Sequence, residues 1–197
     1  MVEGFDERVA AALEVLDEIV ADRDLLQTLP LEVRTRLLSA AMEKHAKPGV
    51  ENVNMVQDPL ADVVDIVAFN QYVGWYDGLP EKCARISWEI PYDKPVFVSE
   101  FGGDARQGRH GDKSERWNEE FQEELYRQTL PMLDKIDGLV GLTPWILVDF
   151  RSPKRLLPGI QDGFNRKGLI SSEGVKKKAF TVLQKYYQKR AEEPVSK

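Results

Sequence analysis

One short segment holds the strongest candidate for chemistry in this chain. Residues 94–103 read Lys-Pro-Val-Phe-Val-Ser-Glu-Phe-Gly-Gly, so a β-forming run leads directly into Glu100 and then into glycine. This order is typical of a buried strand that presents one carboxylate at its carboxyl end. In parallel α/β folds, ligands bind at that edge of the sheet. Glu100 is therefore a candidate nucleophile or acid for sugar chemistry, and the alternative is a carboxylate that caps a turn or pairs with a lysine.

Aromatic residues form a second signal, because five of them lie beside predicted strand ends. They are Tyr72, Trp75, Tyr76, Phe101 and Trp145. Aromatic rings stack on the C–H faces of pyranose sugars, and the polar atoms of Tyr and Trp reach sugar hydroxyls. Core packing is the alternative for each residue taken alone, but their shared position favours a sugar-binding cleft.

A third signal is the run Asn165-Arg-Lys-Gly168. Asn165 and Lys167 are candidates for a polar clamp on sugar hydroxyls or on a sugar carboxylate, and an ordinary exposed turn is the alternative. His45 and His110 are too isolated to indicate a metal site. The chain has no phosphate-binding glycine-rich loop either. We therefore expect no metal and no cofactor.

The elements that must position these residues alternate between helix and strand. Strands are predicted over 63–69, 95–99 and 138–148, helices over 5–23, 80–90, 114–136 and 174–190, and a long loop over 151–168. The run 37–42 fits either a strand or a short helix. The alternation predicts an α/β fold with a parallel sheet and right-handed crossovers.

The expected organisation is one domain over residues 1–190, followed by a disordered tail over 191–197. It divides into an N-terminal helical segment, 1–33, and β/α units over 34–190. Pro131 predicts a kink or break in the helix over 114–136.

Composition excludes several classes of protein. Acidic residues outnumber basic ones, 33 to 27, and the net charge of −6 argues against nucleic acid or an anionic membrane as partner. No apolar run reaches the roughly 20 residues that a membrane helix needs. A single cysteine, Cys83, and the lack of a signal-peptide pattern indicate a cytoplasmic protein. Cys83 is predicted to be a half-buried helix residue rather than a nucleophile.

Four segments in this order resemble glycoside hydrolase family 2, the family of β-galactosidases, β-glucuronidases and β-mannosidases. They are residues 65–76, 95–103, 141–150 and 165–170. The resemblance covers about residues 60–190. It implies a retaining exo-β-glycosidase that acts on terminal β-linked sugars and is built on a TIM (β/α)8 barrel, of which this chain resembles the half with strands five to eight.

The resemblance also implies roles for individual residues. Glu100 matches the family's nucleophile at the end of strand seven, and Asn70 and Tyr72 match groups near it at the end of strand six. Trp145 matches the aromatic wall on strand eight.

Asn165 and Lys167 match the Asn-x-Lys pair that contacts the sugar carboxylate in the glucuronidase branch. Similar pairs occur in other branches, so the sugar, neutral or acidic, stays open. Residues 151–162 resemble a branch labelled β-galactosidase/β-glucuronidase.

The family's acid/base glutamate, which follows an asparagine, has no match. Asn118-Glu119 falls inside a predicted helix, and Glu43 is the least poor substitute. A half-barrel also exposes two sheet edges, so we expect a homodimer or higher homo-oligomer that closes the barrel, with Glu100 of each chain facing one cavity. The alternatives are a barrel completed by another polypeptide, a non-catalytic carbohydrate-binding or structural half-barrel, and an inactive fragment.

Overall fold

The computed structural model describes residues 53–55 and 59–192. The predicted helix over 5–23, the run 37–42, Glu43 and His45 lie outside the described residues, as do the last five residues of the predicted tail. Seven strands are described: β1 Val53–Met55, β2 Val67–Asn70, β3 Ser87–Glu89, β4 Val96–Glu100, β5 Leu139–Leu142, β6 Phe150–Arg151 and β7 Phe164–Asn165. The helices are α1 Glu119–Leu133 and α2 Lys178–Glu192, with 3₁₀ helices at Pro59–Asp62 and Pro80–Arg85.

A three-stranded parallel sheet forms the centre of the fold, in the order β2-β4-β5. Phe97 lies opposite Ala68 on one side and Gly141 on the other. The predicted α/β class with a parallel sheet is therefore confirmed, and the arrangement is compatible with part of a barrel.

Within the part of the chain that the structure describes, one face of this sheet is buried and the other is largely exposed. Val96 and Val98 point into the core against α1 and α2, whereas Ala68 and Asn70 are exposed. The interpretation of 63–69 as a strand buried on both faces is therefore wrong. Strand β2 also begins only at Val67, because the residues before it lie exposed outside the sheet.

Strand β5 is much shorter than the predicted 138–148. It ends at Leu142, just before Pro144, which has no N–H for a further ladder bond. The predicted helix over 80–90 is likewise divided into a 3₁₀ turn and β3, since Ile86 takes an extended conformation and β3 then pairs with β1.

The two helices cover the buried face of the sheet. Helix α1 begins later than predicted because the side chain of Asn118 accepts a hydrogen bond from the N–H of Phe121 at 2.7 Å and caps it. Pro131 does not break α1; it lies in its last turn, where the helix continues to Leu133. Helix α2 runs to Glu192, two residues beyond its predicted end. Among the described residues, no helix has both the length and the apolar character to span a bilayer.

Cys83 lies in the 3₁₀ turn with none of its surface exposed, which corrects the half-buried expectation. Burial raises the pKa of its thiol to about 11. We therefore expect the native protein to react with a thiol reagent such as DTNB at pH 8 far more slowly than the protein in guanidinium, because the reactive thiolate is scarce and shielded. Equal reaction rates in the two states would contradict this burial.

Candidate active site

Glu100 is the last residue of β4, where the sheet presents its side chain at the carboxyl edge. Its Oε2 accepts a hydrogen bond from the Tyr72 hydroxyl at 2.7 Å. The backbone holds the two segments together, since the N–H of Gln71 donates to the carbonyl of Glu100 at 2.9 Å. The carboxylate is thus oriented by a neighbouring strand end.

The turn after Glu100 requires glycine. Gly102 has φ +127°, a conformation that side chains disfavour, and a Cβ there would lie 2.6 Å from the Tyr126 hydroxyl. The chain can therefore turn away immediately after the carboxylate, with Phe101 buried beneath it.

A pocket of about 370 Å³ opens beside this carboxylate. Five of the six predicted site residues line it: Tyr72, Glu100, Trp145, Asn165 and Lys167. The other lining residues are Tyr76, Phe150, Ser152 and Arg155. The volume lies in the range of small-molecule sites, and the lining combines aromatic rings with a carboxylate, an amide and two cations. These groups suit a polyhydroxylated ring.

Asn70 is the predicted residue that does not line the pocket. Its Oδ1 accepts a hydrogen bond from the Ser99 hydroxyl at 2.7 Å, and the side chain lies exposed on the open face of the sheet. The aromatic group also divides, because Trp75 and Phe101 are buried in the core while Tyr72, Tyr76 and Trp145 line the pocket.

Lys167 lies in the wall of the pocket with 1% of its surface exposed. Its ammonium donates to Asp104 Oδ2 at 2.6 Å and to the Tyr76 hydroxyl at 2.9 Å. Asp104, itself fully buried, offsets the lysine charge. Lys167 therefore offers the pocket a positioned N–H donor rather than an unbalanced charge.

Asn165 is oriented by its own turn. It lies in β7, which pairs with β6, and its Oδ1 accepts a hydrogen bond from the N–H of Lys167 at 3.0 Å. Gly168 completes the motif, since a Cβ there would lie 2.2 Å from the backbone N of Asp149. The hydrogen bond from the N–H of Lys167 orients the Asn165 side chain, which lines the pocket.

A buried ion pair, Lys177–Asp149, supports the segment that carries Asn165 and Lys167. The Lys177 ammonium donates to Asp149 Oδ1 at 2.8 Å and to the carbonyls of Ala105 and Arg166, with both charged side chains fully buried. Burial raises the pKa of Asp149 and lowers that of Lys177, and their mutual contact opposes both changes. The pair ties the segments after β4 and β7 to the start of α2.

Burial, reinforced by the hydrogen bond to Glu100, raises the pKa of Tyr72 far above its ordinary value. The phenol therefore stays protonated and donates to the carboxylate. We expect Tyr72→Phe to lower kcat/KM about 10-fold, because it removes one hydrogen bond to a charged group. The measurement is the steady-state rate on an aryl β-glycoside.

Tyr186→Phe is the matched control for this prediction. Tyr186 donates to Asp134 at 2.6 Å, also a tyrosine–carboxylate bond, but away from the pocket. Equal losses of activity in the two variants would mean that the Tyr72 bond has no special role at Glu100.

Sequence reasoning assigned no role to Phe150, Ser152, Arg155 or Asp104. Asp104 directly follows Gly102-Gly103 and lies four residues after Glu100. Its partner, Lys167, lies 63 residues further along the sequence, so no local pattern indicated the pair. The side chains of residues 60–192 include no group of three or more His, Cys, Asp or Glu residues placed to hold a metal ion.

Comparison with known sequences finds relatives that are β-glucuronidases. The chain is 32% identical over 157 residues to a β-glucuronidase of Chlorocebus aethiops, covering 73% of this chain and 23% of that protein. It is 32% identical over 124 residues to a β-glucuronidase of Streptococcus agalactiae, covering 58% and 20%. The chain therefore spans about a quarter or less of these relatives. No protein-family model matches it.

Solved structures agree with the sequences. A Bifidobacterium dentium β-glucuronidase complexed with coumarin-3-O-glucuronide matches with TM-score 0.54 and 27% identity, over 72% of this chain and 23% of that one. A β-glucuronidase of Faecalibacterium prausnitzii matches with TM-score 0.54 and 26% identity, over 69% and 24%. A GH2 β-galacturonidase of Eisenbergiella tayi, 24% identical with TM-score 0.54 over 64% and 24%, shares the fold.

Proposed function

We propose that this chain, which belongs to glycoside hydrolase family 2 and spans about a quarter of its β-glucuronidase relatives, is the nucleophile-bearing part of a retaining β-glycosidase. Glu100 attacks the anomeric carbon of a terminal β-linked sugar as the glycosidic bond breaks, and water then opens the glycosyl-enzyme ester. The observation that supports this most directly is the position of Glu100 in the pocket, oriented by Tyr72 at 2.7 Å.

The proposed architecture is a half-barrel. Strands β2, β4 and β5 are adjacent, parallel and ordered along the chain, as strands six, seven and eight of a (β/α)8 barrel would be. In this assignment Glu100 ends strand seven, and the segment after β5 brings Trp145 to the pocket wall.

Retaining hydrolysis uses two carboxyl groups about 5–5.5 Å apart. Among the described residues that line the pocket, Glu100 is the only acid. We therefore expect p-nitrophenyl β-glycosides to react at least about 10²-fold faster than methyl β-glycosides, since a good leaving group does not need a proton and general acid catalysis is worth that much. Equal kcat/KM values for the two leaving groups would indicate an acid from elsewhere, with Glu43 as the first candidate.

The test of the function is hydrolysis of p-nitrophenyl β-galactoside, glucoside, glucuronide, galacturonide and mannoside by the purified protein. Turnover of one of them above the rate of a Glu100→Ala preparation supports the proposal and identifies the sugar. Failure to hydrolyse all five contradicts a glycosidase that acts alone.

Closure of the barrel by a second copy is the proposed assembly. The open face of the sheet carries the exposed residues Ala68, Asn70 and Thr143, which a closed barrel would cover. Light scattering should then give the mass of a dimer or a higher oligomer. A stable monomer at micromolar concentration would contradict this closure and favour completion by another polypeptide.

The single acid in the described pocket lining also favours a second candidate, a non-catalytic carbohydrate-binding half-barrel. Trp145, Tyr76 and Asn165 would still bind a sugar in such a protein. Sugar binding that survives Glu100→Gln, together with no turnover by the parent protein, would select this function over hydrolysis.

A further inference from the structure

A buried amide on helix α1 contacts two turns that lead away from the pocket. The side chain of Gln122 is fully buried. Its Nε2 donates to the carbonyl of Gly103 at 2.8 Å and to the carbonyl of Gly168 at 3.2 Å. Gly103 lies three residues after Glu100, and Gly168 directly follows Lys167. One side chain that does not line the pocket therefore joins the segment of the proposed nucleophile to a segment of the opposite wall.

The start of α1 holds this amide in place. The backbone N–H of Gln122 donates to the carbonyl of Asn118 at 3.3 Å, in the first turn of the helix. Glu119, on the same turn, accepts hydrogen bonds from the N–H of Gly108 at 2.7 Å and from the N–H of Lys178 at 2.9 Å. Because these bonds tie the first turn of α1 to the loop after β4 and to the start of α2, the Gln122 side chain projects from a fixed position.

The two turns need a contact of this kind because their glycines have no side chain that could anchor them. A Cβ at Gly103 would lie 2.7 Å from the side chain of Leu125. A Cβ at Gly168 would lie 2.2 Å from the backbone N of Asp149. Both positions thus exclude a larger residue, and their carbonyls are the groups through which Gln122 can hold them.

Backbone amides at this joint report whether the two segments stay together. The N–H of Ala105 donates to the carbonyl of Arg166 at 3.0 Å. The N–H of Arg166 in turn donates to Asp104 Oδ1 at 3.0 Å. Opening of the joint breaks both bonds, so the hydrogen exchange of these two amides measures it.

We propose that Gln122 is a positioning residue: its amide fixes the turn after Glu100 against the turn after Lys167, and so sets where the carboxylate lies relative to a bound sugar. This inference rests on the proposed function for the reaction that is positioned. Covalent attack needs the reacting atoms about 3–3.5 Å apart, and a displacement of about 1 Å costs about 10²-fold in rate. Loss of the amide should therefore slow the chemical step more than it weakens binding.

The first test examines the side-chain amide in the wild-type protein. Since its N–H groups donate to two buried carbonyls, we expect the Gln122 amide protons to exchange with water at least about 10-fold more slowly than those of Gln107, which is exposed. NMR exchange spectroscopy measures both rates. Equal rates would overturn the inference, and this measurement does not require any variant to fold.

The second test compares Gln122→Met with a matched control, Thr129→Val. Methionine keeps the length of the side chain and removes both N–H donors. Thr129 is also buried in α1, but its hydroxyl lies 3.8 Å from the Cys83 thiol, and it does not line the pocket. We expect Gln122→Met to accelerate amide exchange at Ala105 and Arg166 about 10-fold, whereas Thr129→Val should leave both rates unchanged in the folded protein.

Kinetics then separate positioning from stability. Gln122→Met should lower kcat on the best p-nitrophenyl β-glycoside about 10- to 100-fold and change KM less than about 3-fold, whereas Thr129→Val should change neither by more than about 2-fold. Unchanged kcat in Gln122→Met, or equal effects of the two variants, would overturn the positioning role. A wild type that hydrolyses none of the five glycosides would overturn the proposed hydrolysis instead, and the exchange rates would still decide whether Gln122 joins the two turns.

Discussion

Replacement of Glu100 by glutamine should lower kcat/KM on the best p-nitrophenyl β-glycoside at least about 10³-fold, in line with the loss caused by removing a covalent nucleophile. Glutamine keeps the shape of the side chain and an oxygen that can accept the Tyr72 hydrogen bond. It cannot form the glycosyl ester, so the loss of activity reports chemistry rather than packing. The measurement is the steady-state release of p-nitrophenol.

Glu89→Gln provides the matched control, because Glu89 also ends a strand but is exposed and does not line the pocket. Its activity should stay at the wild-type level. A second test uses Glu100→Ala with azide, which should attack the vacated face and give an α-glycosyl azide identifiable by NMR. A β-glycosyl azide would instead identify Glu100 as the acid/base. If Glu100→Gln retained more than about a tenth of the wild-type activity, Glu100 would not be the nucleophile.

The largest expected effect on stability comes from Lys177. Lys177→Met keeps the apolar stem but leaves the Asp149 carboxylate buried without its closest cation, and breaking a buried pair in this way costs about 3–5 kcal/mol. We expect the urea midpoint to fall accordingly, or cooperative unfolding to be lost. Circular dichroism during a urea titration measures this change.

Lys185→Met is the control for the removal of a positive charge, since Lys185 is an exposed residue of α2. It should change the free energy of unfolding by less than about 0.5 kcal/mol. The double variant Lys177→Met, Asp149→Leu should be more stable than the two single effects added together, because neither Lys177 nor Asp149 is left without the other. Arg166, 3.6 Å from Asp149, loses this carboxylate both in the double variant and in Asp149→Leu, so that loss cancels in the comparison. A Lys177→Met protein as stable as Lys185→Met would show that the pair contributes little.

Local patterns in the sequence were sufficient to predict part of this site. The β-branched run before Glu100 predicted a strand over 95–99, and β4 covers Val96–Glu100. Tyr72, Glu100 and Trp145 meet at one pocket because their segments lie at the carboxyl ends of the three parallel strands, and the antiparallel pair β6–β7 brings Asn165 and Lys167 to the same pocket. These features depend on side-chain periodicity and on resemblance between short motifs, both of which are readable along the chain.

Strand ends were harder to predict. Strands β2 and β5 are shorter than their apolar runs, since exposed residues precede β2 and Pro144 follows β5 closely. Helix α1 likewise starts at the cap made by Asn118 and not at Ser114. Hydrophobicity marks where an element can extend, but backbone hydrogen bonding decides where it stops.

The sequence by itself determined the α/β class, the strand that carries Glu100 and the motifs that lie around it, because these follow from local residue order. Only the tertiary structure decided which acid balances the charge of Lys167 at the pocket. Asp104 neutralises Lys167 across 63 residues, and Asp149 pairs with Lys177 across 28 residues. Such pairings depend on distances between segments remote in the chain, which neither composition nor periodicity encodes.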